Sequence, residues 1–245
     1  EHEQAFERDF AAFMGGGFAD GVNSGSSAVF AALGLLQLPA GSEVVVPPIT
    51  DPGGVMPVPL CNLIPVIADA VPGYYHTGPE QIAARITKRT SAIVVAHIAG
   101  IPAPMDGIMA LARKNNLPVI EDCAQAHGAR YKGRLAGTFG TISAFSTMFG
   151  KHHATGGQGG VVFTKDRELA WKIRRHSDRG KPFGLKDATG NVVAALNCNS
   201  NDLNACIGRV QLKRLPGIVS ARQRLVACLA RECRDLKAIK PVTGY

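Results

Sequence analysis

The stretch that decides the fold class is "TSAIVVAHIAGIPAPMDGIMALARKNNLPVIEDCA", residues 90–124. It begins with a continuous apolar run over 90–98, continues through an amphipathic segment over 105–116 and ends with a second apolar run over 117–124. Short apolar runs bounded by Pro, Gly and polar residues predict strands buried on both faces, and the segment between them predicts a helix. Strand, helix and strand in this order are the repeating unit of a sheet covered by helices.

The same alternation extends in both directions along the chain. Further strands are predicted at residues 42–48, 64–70, 140–147 and 159–166. Helices are predicted at residues 3–14, 78–86, 167–180 and 202–236. The segment 19–38 is interpreted as a polar, glycine-containing turn that enters an apolar helix, and the prolines of segment 54–63 exclude a long helix. The sequence therefore predicts an α/β fold, a three-layer α/β/α sandwich with a mostly parallel sheet.

Composition narrows the class of protein. Each apolar run is broken before the roughly 20 residues that a membrane helix needs, so no membrane partner is expected. The six cysteines form no CxxC pair, which indicates reduced thiols and a cytoplasmic protein. The net charge of +8 is spread over predicted helices. This pattern indicates solvated helix faces rather than a nucleic-acid surface, and it is compatible with an anionic small molecule.

Two polar segments lie where such sheets bind ligands, beyond the carboxyl ends of strands and at helix N-termini. "NSGSSA", residues 23–28, opens a helix with hydroxyls and a glycine, which suits a phosphate. A serine N-cap without any ligand explains the same letters. Asp122 directly follows a buried strand, where a carboxylate needs a cationic partner or a hydrogen-bonded cap.

The segment "AFSTMFGKHHATGGQGGVVFTKD", residues 144–166, allows three chemistries. Adjacent His152 and His153 diverge on a strand or a helix and lack a third ligand nearby, so no metal is expected. The glycines could approach a phosphate, although glycine turns between strands are common. Lys151 between two strands could react with a carbonyl carbon. A single lysine is usually a surface residue, so a reactive Lys151 is predicted only in combination with the other polar positions at the strand ends and the helix N-terminus.

That set, in chain order, resembles the DegT/DnrJ/EryC1/StrS family of sugar aminotransferases, which are pyridoxal-phosphate enzymes of fold type I. The resemblance covers nearly the whole chain. Five motifs carry it: "NSGSSA" (23–28), "VIEDCAQAHGARYKG" (119–133), "GTFGTISAFSTMFGK" (137–151), "GGQGG" (156–160) and "NCNSNDLNACIGRVQL" (197–212).

The resemblance implies roles for individual residues. Lys151 would bind the cofactor covalently and carry the proton, and Asp122 would pair with the ring nitrogen of pyridoxal 5′-phosphate. Members of the family also use several residues to hold the cofactor. By position these are Gly25, Ser26 and Ser146 at the phosphate, Gln125 at the ring hydroxyl, and Asn197 at the phosphate of the neighbouring subunit's cofactor.

The resemblance also implies a domain organisation and a reaction. Residues 1–220 would form the cofactor-binding large domain, and residues 221–245 would begin a C-terminal small domain that is largely missing. The expected activity is transfer of an amino group from glutamate or glutamine to a nucleotide-linked keto-sugar, by a homodimer.

Three departures from the family pattern leave alternatives open. Asp51 stands where members carry an aromatic ring over the cofactor, so backbone or another side chain such as His97 would cover that face. Asn199 replaces the arginine that follows Asn197 by two residues. Counting back from the glycine turn puts His152 instead of Lys151 in the reactive position, as in a branch that performs 3-dehydration of keto-sugars. A non-catalytic homologue that keeps only the fold is a further alternative.

Overall fold

The structure is a computed structural model that describes residues 1–238. The final part of the predicted small domain, residues 239–245, lies outside the described residues. The helices are α1 His2–Phe13, α2 Gly25–Gly34, α3 Pro57–Leu60, α4 Pro79–Ala83, α5 Met105–Lys114, α6 Arg167–Ser177 and α7 Asp202–Glu232. The strands are β1 Phe18–Val22, β2 Glu43–Val46, β3 Ile64–Ile67, β4 Thr90–Ala96, β5 Val119–Asp122, β6 Arg130–Tyr131, β7 Arg134–Leu135, β8 Ile142–Ser146 and β9 Gly160–Thr164.

In the described part of the chain, seven strands form one sheet in the order β1-β9-β8-β5-β4-β2-β3. The pairs β2–β3, β2–β4, β4–β5 and β5–β8 are parallel. β9 runs antiparallel to both of its neighbours, so β1 has the same direction as the parallel strands. The predicted mostly parallel sheet is confirmed. β6 and β7 form a separate two-stranded sheet.

Helices cover both faces of the large sheet. Val44 packs into a cluster with α2, whereas the next residue, Val45, packs with Met105 and Ile108 of α5 on the other face. The alternation along one strand places one cluster on each side, as the period of two requires. A third cluster joins α1 and α7 to β8 and β9 through Phe10, Leu212, Phe145 and other apolar side chains. The predicted three-layer sandwich is therefore confirmed.

The structure corrects the interpretation of residues 19–38. Their first part is not a turn, because residues 18–22 form strand β1 at one edge of the sheet. Asp20 and Gly21 are poor strand residues, which hid the strand in the sequence. The strand forms because its backbone pairs with β9 and because Arg174 and Ser177 hydrogen-bond the buried Asp20 carboxylate.

Helix α7 continues across the boundary predicted between residues 220 and 221. The division into a large domain and the beginning of a small one stays a prediction from the sequence. Among residues 1–238, no helix combines the length and the apolarity that crossing a bilayer requires.

A buried pair of carboxylates ties α1 and β1 to α6. Arg174 Nη1 lies 3.0 Å from Glu7 Oε2 and 2.9 Å from Asp20 Oδ1. Gly21 N–H also donates to Glu7 Oε1 at 3.0 Å. One guanidinium therefore faces two carboxylates, and burial raises the pKa of Asp20 to about 6. Burial also raises the pKa of Glu7.

We expect Asp20 to make the protein less stable as the pH rises through the acidic range. Between about pH 4 and pH 6 the folded protein holds a proton on Asp20 that the unfolded chain has lost, so the free energy of unfolding falls as pH rises. The difference between the pKa of Asp20 in the folded and in the unfolded protein corresponds to about 3 kcal/mol in the free energy of unfolding. Urea unfolding at a series of pH values should show this fall in the wild type and a much smaller one in Asp20→Asn.

The exposed loop residue Asp187 supplies the control for this experiment. Asp187→Asn removes the same charge outside the network and should keep the wild-type pH dependence. An unchanged slope in Asp20→Asn would show that Asp20 titrates alike in the folded and unfolded chains.

Candidate active site

The polar strand ends predicted from the sequence meet at one edge of the sheet. Asp122 is the last residue of β5, and Ser146 is the last residue of the neighbouring strand β8. Helix α2 begins at Gly25, directly after the carboxyl end of β1. All three strands run in the same direction, so the ends of β1, β5 and β8 face the same side.

A polar cavity of about 190 Å³ lies between these strand ends. It brings together five of the seven residues predicted to act at the site. They are Gly25, Ser26, Asp122, Ser146 and Lys151. Asp51, Gly54 and Gln158 also line this small cavity.

The N-terminus of α2 presents backbone and hydroxyl groups to the small cavity. Ser24 is the N-cap, because its Oγ accepts the Ser27 N–H at 3.1 Å. The N-cap role suggested for this segment therefore belongs to Ser24, while Gly25 and Ser26 line the cavity. A Cβ built on Gly25 would lie 2.6 Å from Ser146 Cβ. Only glycine fits here, because the helix N-terminus lies very close to the end of β8. Together the helix N-terminus and the strand end can bind an anion.

Asp122 presents one carboxylate oxygen to the backbone and the other to the cavity. Its Oδ1 accepts the Ala124 N–H at 3.0 Å, which is the cap that the sequence allowed. Its Oδ2 faces Gly54, where an added Cβ would lie 2.7 Å away. Burial raises the pKa of Asp122, and the Ala124 N–H and the charge of Lys151 act in the opposite direction. A cation in the cavity would therefore find a buried carboxylate without a full counter-charge.

Lys151 lies in the loop between β8 and β9, as predicted, on the wall between two cavities. On one side is the small cavity with Asp122. On the other is a larger cavity of about 640 Å³, which Lys151 shares with Gln125, His152 and Arg222. The same residue therefore lines both cavities.

The larger cavity contains basic groups from three parts of the chain. Arg222 comes from α7, and His127 follows β5. The rings of His127 and His152 meet edge to face with centroids 4.9 Å apart. Burial lowers the pKa of both rings, and the charge of Arg222 adds to the effect on His152. Near neutral pH both imidazoles are therefore neutral and add no positive charge to this cavity.

Comparison with known proteins agrees with this geometry. The model of the DegT/DnrJ/EryC1/StrS aminotransferase family matches residues 1–244. The chain belongs to this family.

Three relatives define the similarity. A GDP-perosamine synthase from Caulobacter vibrioides is 35% identical over 90% of this chain and 59% of that protein. A dTDP-4-dehydro-2,6-dideoxy-D-glucose 3-dehydratase from Saccharopolyspora spinosa is 33% identical over 89% of this chain and 54% of that protein. The crystal structure of DesV from S. venezuelae, in complex with ketimine intermediate, has a TM-score of 0.94 at 32% identity and covers 100% of this chain and 65% of that one. The chain spans about three-fifths of the length of the curated relatives it matches.

The fold is that of pyridoxal-phosphate enzymes of fold type I, and the small cavity fits this cofactor. Gly25 leaves room that a Cβ would fill, beside the hydroxyls of Ser26 and Ser146, where a phosphate group can lie. The open Oδ2 of buried Asp122 suits a protonated ring nitrogen. Lys151 brings an amine to the same cavity.

Two of the residues that the family resemblance assigned lie outside the small cavity. Gln125 lines the larger cavity, and its Oε1 accepts the Ala99 N–H at 2.8 Å. Asn197 lines neither cavity, and it forms an isolated β-bridge with Asp178 at the end of α6. Its expected action on a neighbouring subunit stays a prediction.

The sequence suggested that His97 covers one face of the cofactor, but the structure places His97 elsewhere. Its ring is buried, with Nε2 lying 2.9 Å from Glu121 Oε2 and Nδ1 accepting the Ala103 N–H at 3.1 Å. With Cys123 these two side chains form the one group of three potential metal ligands among residues 1–238. The Glu121 carboxylate also accepts the Phe139 N–H at 2.7 Å and other backbone N–H groups, so the group is explained as a hydrogen-bonded core.

Asp51 has a structural role where other members of the family carry an aromatic ring. Its Oδ1 accepts the Gly53 N–H at 3.1 Å and so caps the 3₁₀ turn Pro52–Gly54. Its side chain is exposed and also lines the small cavity. Asp51 therefore begins a turn before Pro52.

We expect Asp51→Asn to keep the stability of the protein, because the amide oxygen can accept the same bond. Asp51→Ala loses the cap and should lower the free energy of unfolding by about 1 kcal/mol. Denaturant unfolding of the two variants side by side measures the difference. Equal losses in both variants would show that the negative charge, and not the hydrogen bond, stabilises the turn.

His127 and Arg222 line the larger cavity, and neither was predicted from the sequence. His127 stands two residues after Gln125 in the same motif, so its position was a usable signal. Arg222 comes from a helix far along the chain, and no local pattern marks it as a cavity residue.

Proposed function

We propose that the chain catalyses pyridoxal-phosphate-dependent transfer of an amino group from an amino acid to a nucleotide-linked keto-sugar. The observation that supports this most strongly is the position of Lys151 between the small cavity, with Asp122, and the larger one, with Gln125 and Arg222. One amine can thus act on a cofactor held on one side and on a substrate held on the other.

Pyridoxal phosphate, when bound, supplies an electron sink for the pair left behind when a substrate carbon loses its proton. Asp122 would hold the positive charge on the ring nitrogen through its open Oδ2. Gly25, Ser26 and Ser146 would hold the phosphate, with the N-terminal dipole of α2 contributing. Lys151 Nζ would hold the cofactor's aldehyde carbon between turnovers and move the substrate proton during them.

The larger cavity would take the reacting ends of the two substrates in turn. Arg222 offers a guanidinium on the α7 wall, which suits a carboxylate or a diphosphate. Gln125 lines the same cavity as Lys151, and its side-chain amide would orient a polar group there. Glutamate or glutamine as donor, and a nucleotide carrier on the sugar, follow from the family resemblance.

A homodimer is part of the proposal. An apolar groove of about 560 Å³ adjoins Ser26 at the mouth of the site and is lined by Met56, Leu60 and Leu196. These three side chains are between 55% and 70% exposed, which favours burial against another protein surface. A second copy on this groove would also meet Asn197, next to Leu196, and would allow the expected contact of Asn197 with the neighbouring cofactor phosphate.

A second candidate function is 3-dehydration of a keto-sugar with His152 as the reactive base. His152 lines the larger cavity beside Lys151, and its imidazole is neutral near pH 7. The 33% identical dehydratase from S. spinosa gives this alternative its second support. It differs from amino transfer in its product, a keto-sugar that has lost its C3 hydroxyl and gained no amino group.

Absorbance spectra of the protein with pyridoxal phosphate test the proposal directly. Glutamate or glutamine alone should shift the cofactor band to shorter wavelength, and a keto-sugar nucleotide should then restore it. A control series with D-glutamate should leave the band in place. Loss of the C3 hydroxyl, with no amino group in the sugar product, would overturn amino transfer in favour of dehydration.

A further inference from the structure

A further cavity lies at the opposite end of β1 from the candidate active site. It has a volume of about 350 Å³, within the range of small-molecule sites. Strand β1 begins at Phe18 and ends at Val22, and the N-terminus of α2, which lines the small cavity, follows its carboxyl end. The cavity instead adjoins Phe18 and Ala19, so it is separate from the site assigned to the cofactor and substrates. We call it the β1/α6 cavity.

One face of α6 forms the wall opposite β1. Its lining residues Arg167, Ala170, Trp171 and Arg174 follow the helical spacing of three and four. Trp171 is 39% exposed, a large fraction for a type of side chain that is highly buried on average. A Cβ on Gly184 would lie 2.6 Å from Trp171 Cγ, so the following loop supports the indole from behind. The cavity therefore offers a fixed aromatic surface.

The charges at the cavity are unevenly satisfied. Arg174 is paired with Asp20 and Glu7. Arg167 forms no ion pair with any residue between 1 and 238, and its guanidinium carbon lies 5.7 Å from the centre of the Phe18 ring. Arg167 is thus an unpaired cation beside an aromatic side chain, a combination that suits a planar anion.

The edge of β1 adds hydrogen-bonding groups. Gly21 N–H donates to Glu7, and Gly21 C=O accepts the Ser200 N–H, so Gly21 faces away from β9. Backbone groups alternate in direction along an antiparallel pair, and Ala19 therefore also turns its N–H and C=O toward the open edge. An unpaired N–H at this edge can donate to an anionic oxygen.

We propose that the β1/α6 cavity binds a small aromatic carboxylate, with its ring against Trp171 and its carboxylate toward Arg167 and the Ala19 N–H. The apolar lining from Phe18, Ala170 and Ile173 excludes a highly hydrated anion such as phosphate alone. This site is independent of the proposed transferase activity.

The single tryptophan of the chain makes the test specific to this cavity. 4-Nitrobenzoate quenches indole fluorescence on contact, so its titration into the protein, corrected for absorbance, should give saturable quenching. Arg167→Gln should weaken binding about tenfold, because it removes a charge-assisted contact. Lys172→Gln removes a charge from an exposed position of the same helix that does not line the cavity, and it should change the affinity less than twofold.

Two further arms make the outcome decisive. Ala170→Leu places a larger side chain in the cavity and should abolish saturable quenching while the circular dichroism of the protein is unchanged. 4-Nitrobenzyl alcohol, which lacks the carboxylate, should bind at least tenfold more weakly than the acid. Linear, non-saturating quenching would overturn the site. Equal affinity of the acid for the wild type and Arg167→Gln would overturn the assignment of Arg167 as the carboxylate partner.

Discussion

Lys151→Ala should abolish covalent attachment of pyridoxal phosphate and reduce amino transfer to background. Borohydride reduction of the wild-type protein with cofactor should leave a stable label on the peptide that contains Lys151, detected by mass spectrometry. The variant would lose both the amine proposed to hold the cofactor and the group proposed to move the proton. Loss of a positioned acid–base group alone costs about 10²–10⁴-fold in rate, so we expect the turnover of Lys151→Ala to fall at least by this factor.

Two matched variants identify the reason for the loss. His152→Ala changes the neighbouring residue of the larger cavity, and Lys165→Ala removes an exposed lysine after β9. Both should keep the borohydride label on Lys151. A wild-type protein that binds the cofactor but acquires no label on Lys151 would contradict the transferase proposal. Such a result, combined with inactive His152→Ala, would favour the dehydratase.

Much of the sheet could be predicted because its strands are continuous apolar runs. β4 and β5 are buried on both faces, so their letters carry a signal that does not depend on their neighbours. β1 was missed because its Asp20 and Gly21 are stabilised by contacts with α1 and α6, which are far away in sequence. A strand that depends on such long-range partners has no local pattern to reveal it.

Some features of the site could likewise be predicted from local sequence, whereas others depend on the folded chain. Asp122 and Ser146 each follow a predicted strand, so the predicted parallel sheet puts both at the same edge. That β5 and β8 are neighbours is seen only in the structure. The order of Lys151 and His152 relative to the glycine turn could not be settled by counting. Both side chains reach the larger cavity, and within the described residues Lys151 also reaches the small one. That second contact is a property of the folded loop, and the sequence spacing of the two residues does not contain it.

Asp122→Asn should leave the fold intact and reduce the chemical step by about two to four orders of magnitude. The amide keeps an oxygen that can accept the Ala124 N–H, so the turn after β5 is preserved. It loses the charge that would hold a proton on the ring nitrogen of the cofactor. Removing one member of a buried charge pair costs about 3–5 kcal/mol, and each 1.36 kcal/mol is a factor of ten in rate. Single-turnover rates with glutamate, measured at saturating cofactor, report this step alone.

Asp51→Asn is the matched control, because it removes another carboxylate that lines the same small cavity. Its turnover should stay within a few-fold of the wild type, since an exposed charge in high dielectric contributes little. The two variants together separate a specific pairing at Asp122 from a general effect of negative charge in the cavity. Equal, small losses in both would show that Asp122 acts only as the cap of the Ala124 N–H. In that case the ring nitrogen must find its counter-charge elsewhere, and the orientation proposed for the cofactor is wrong.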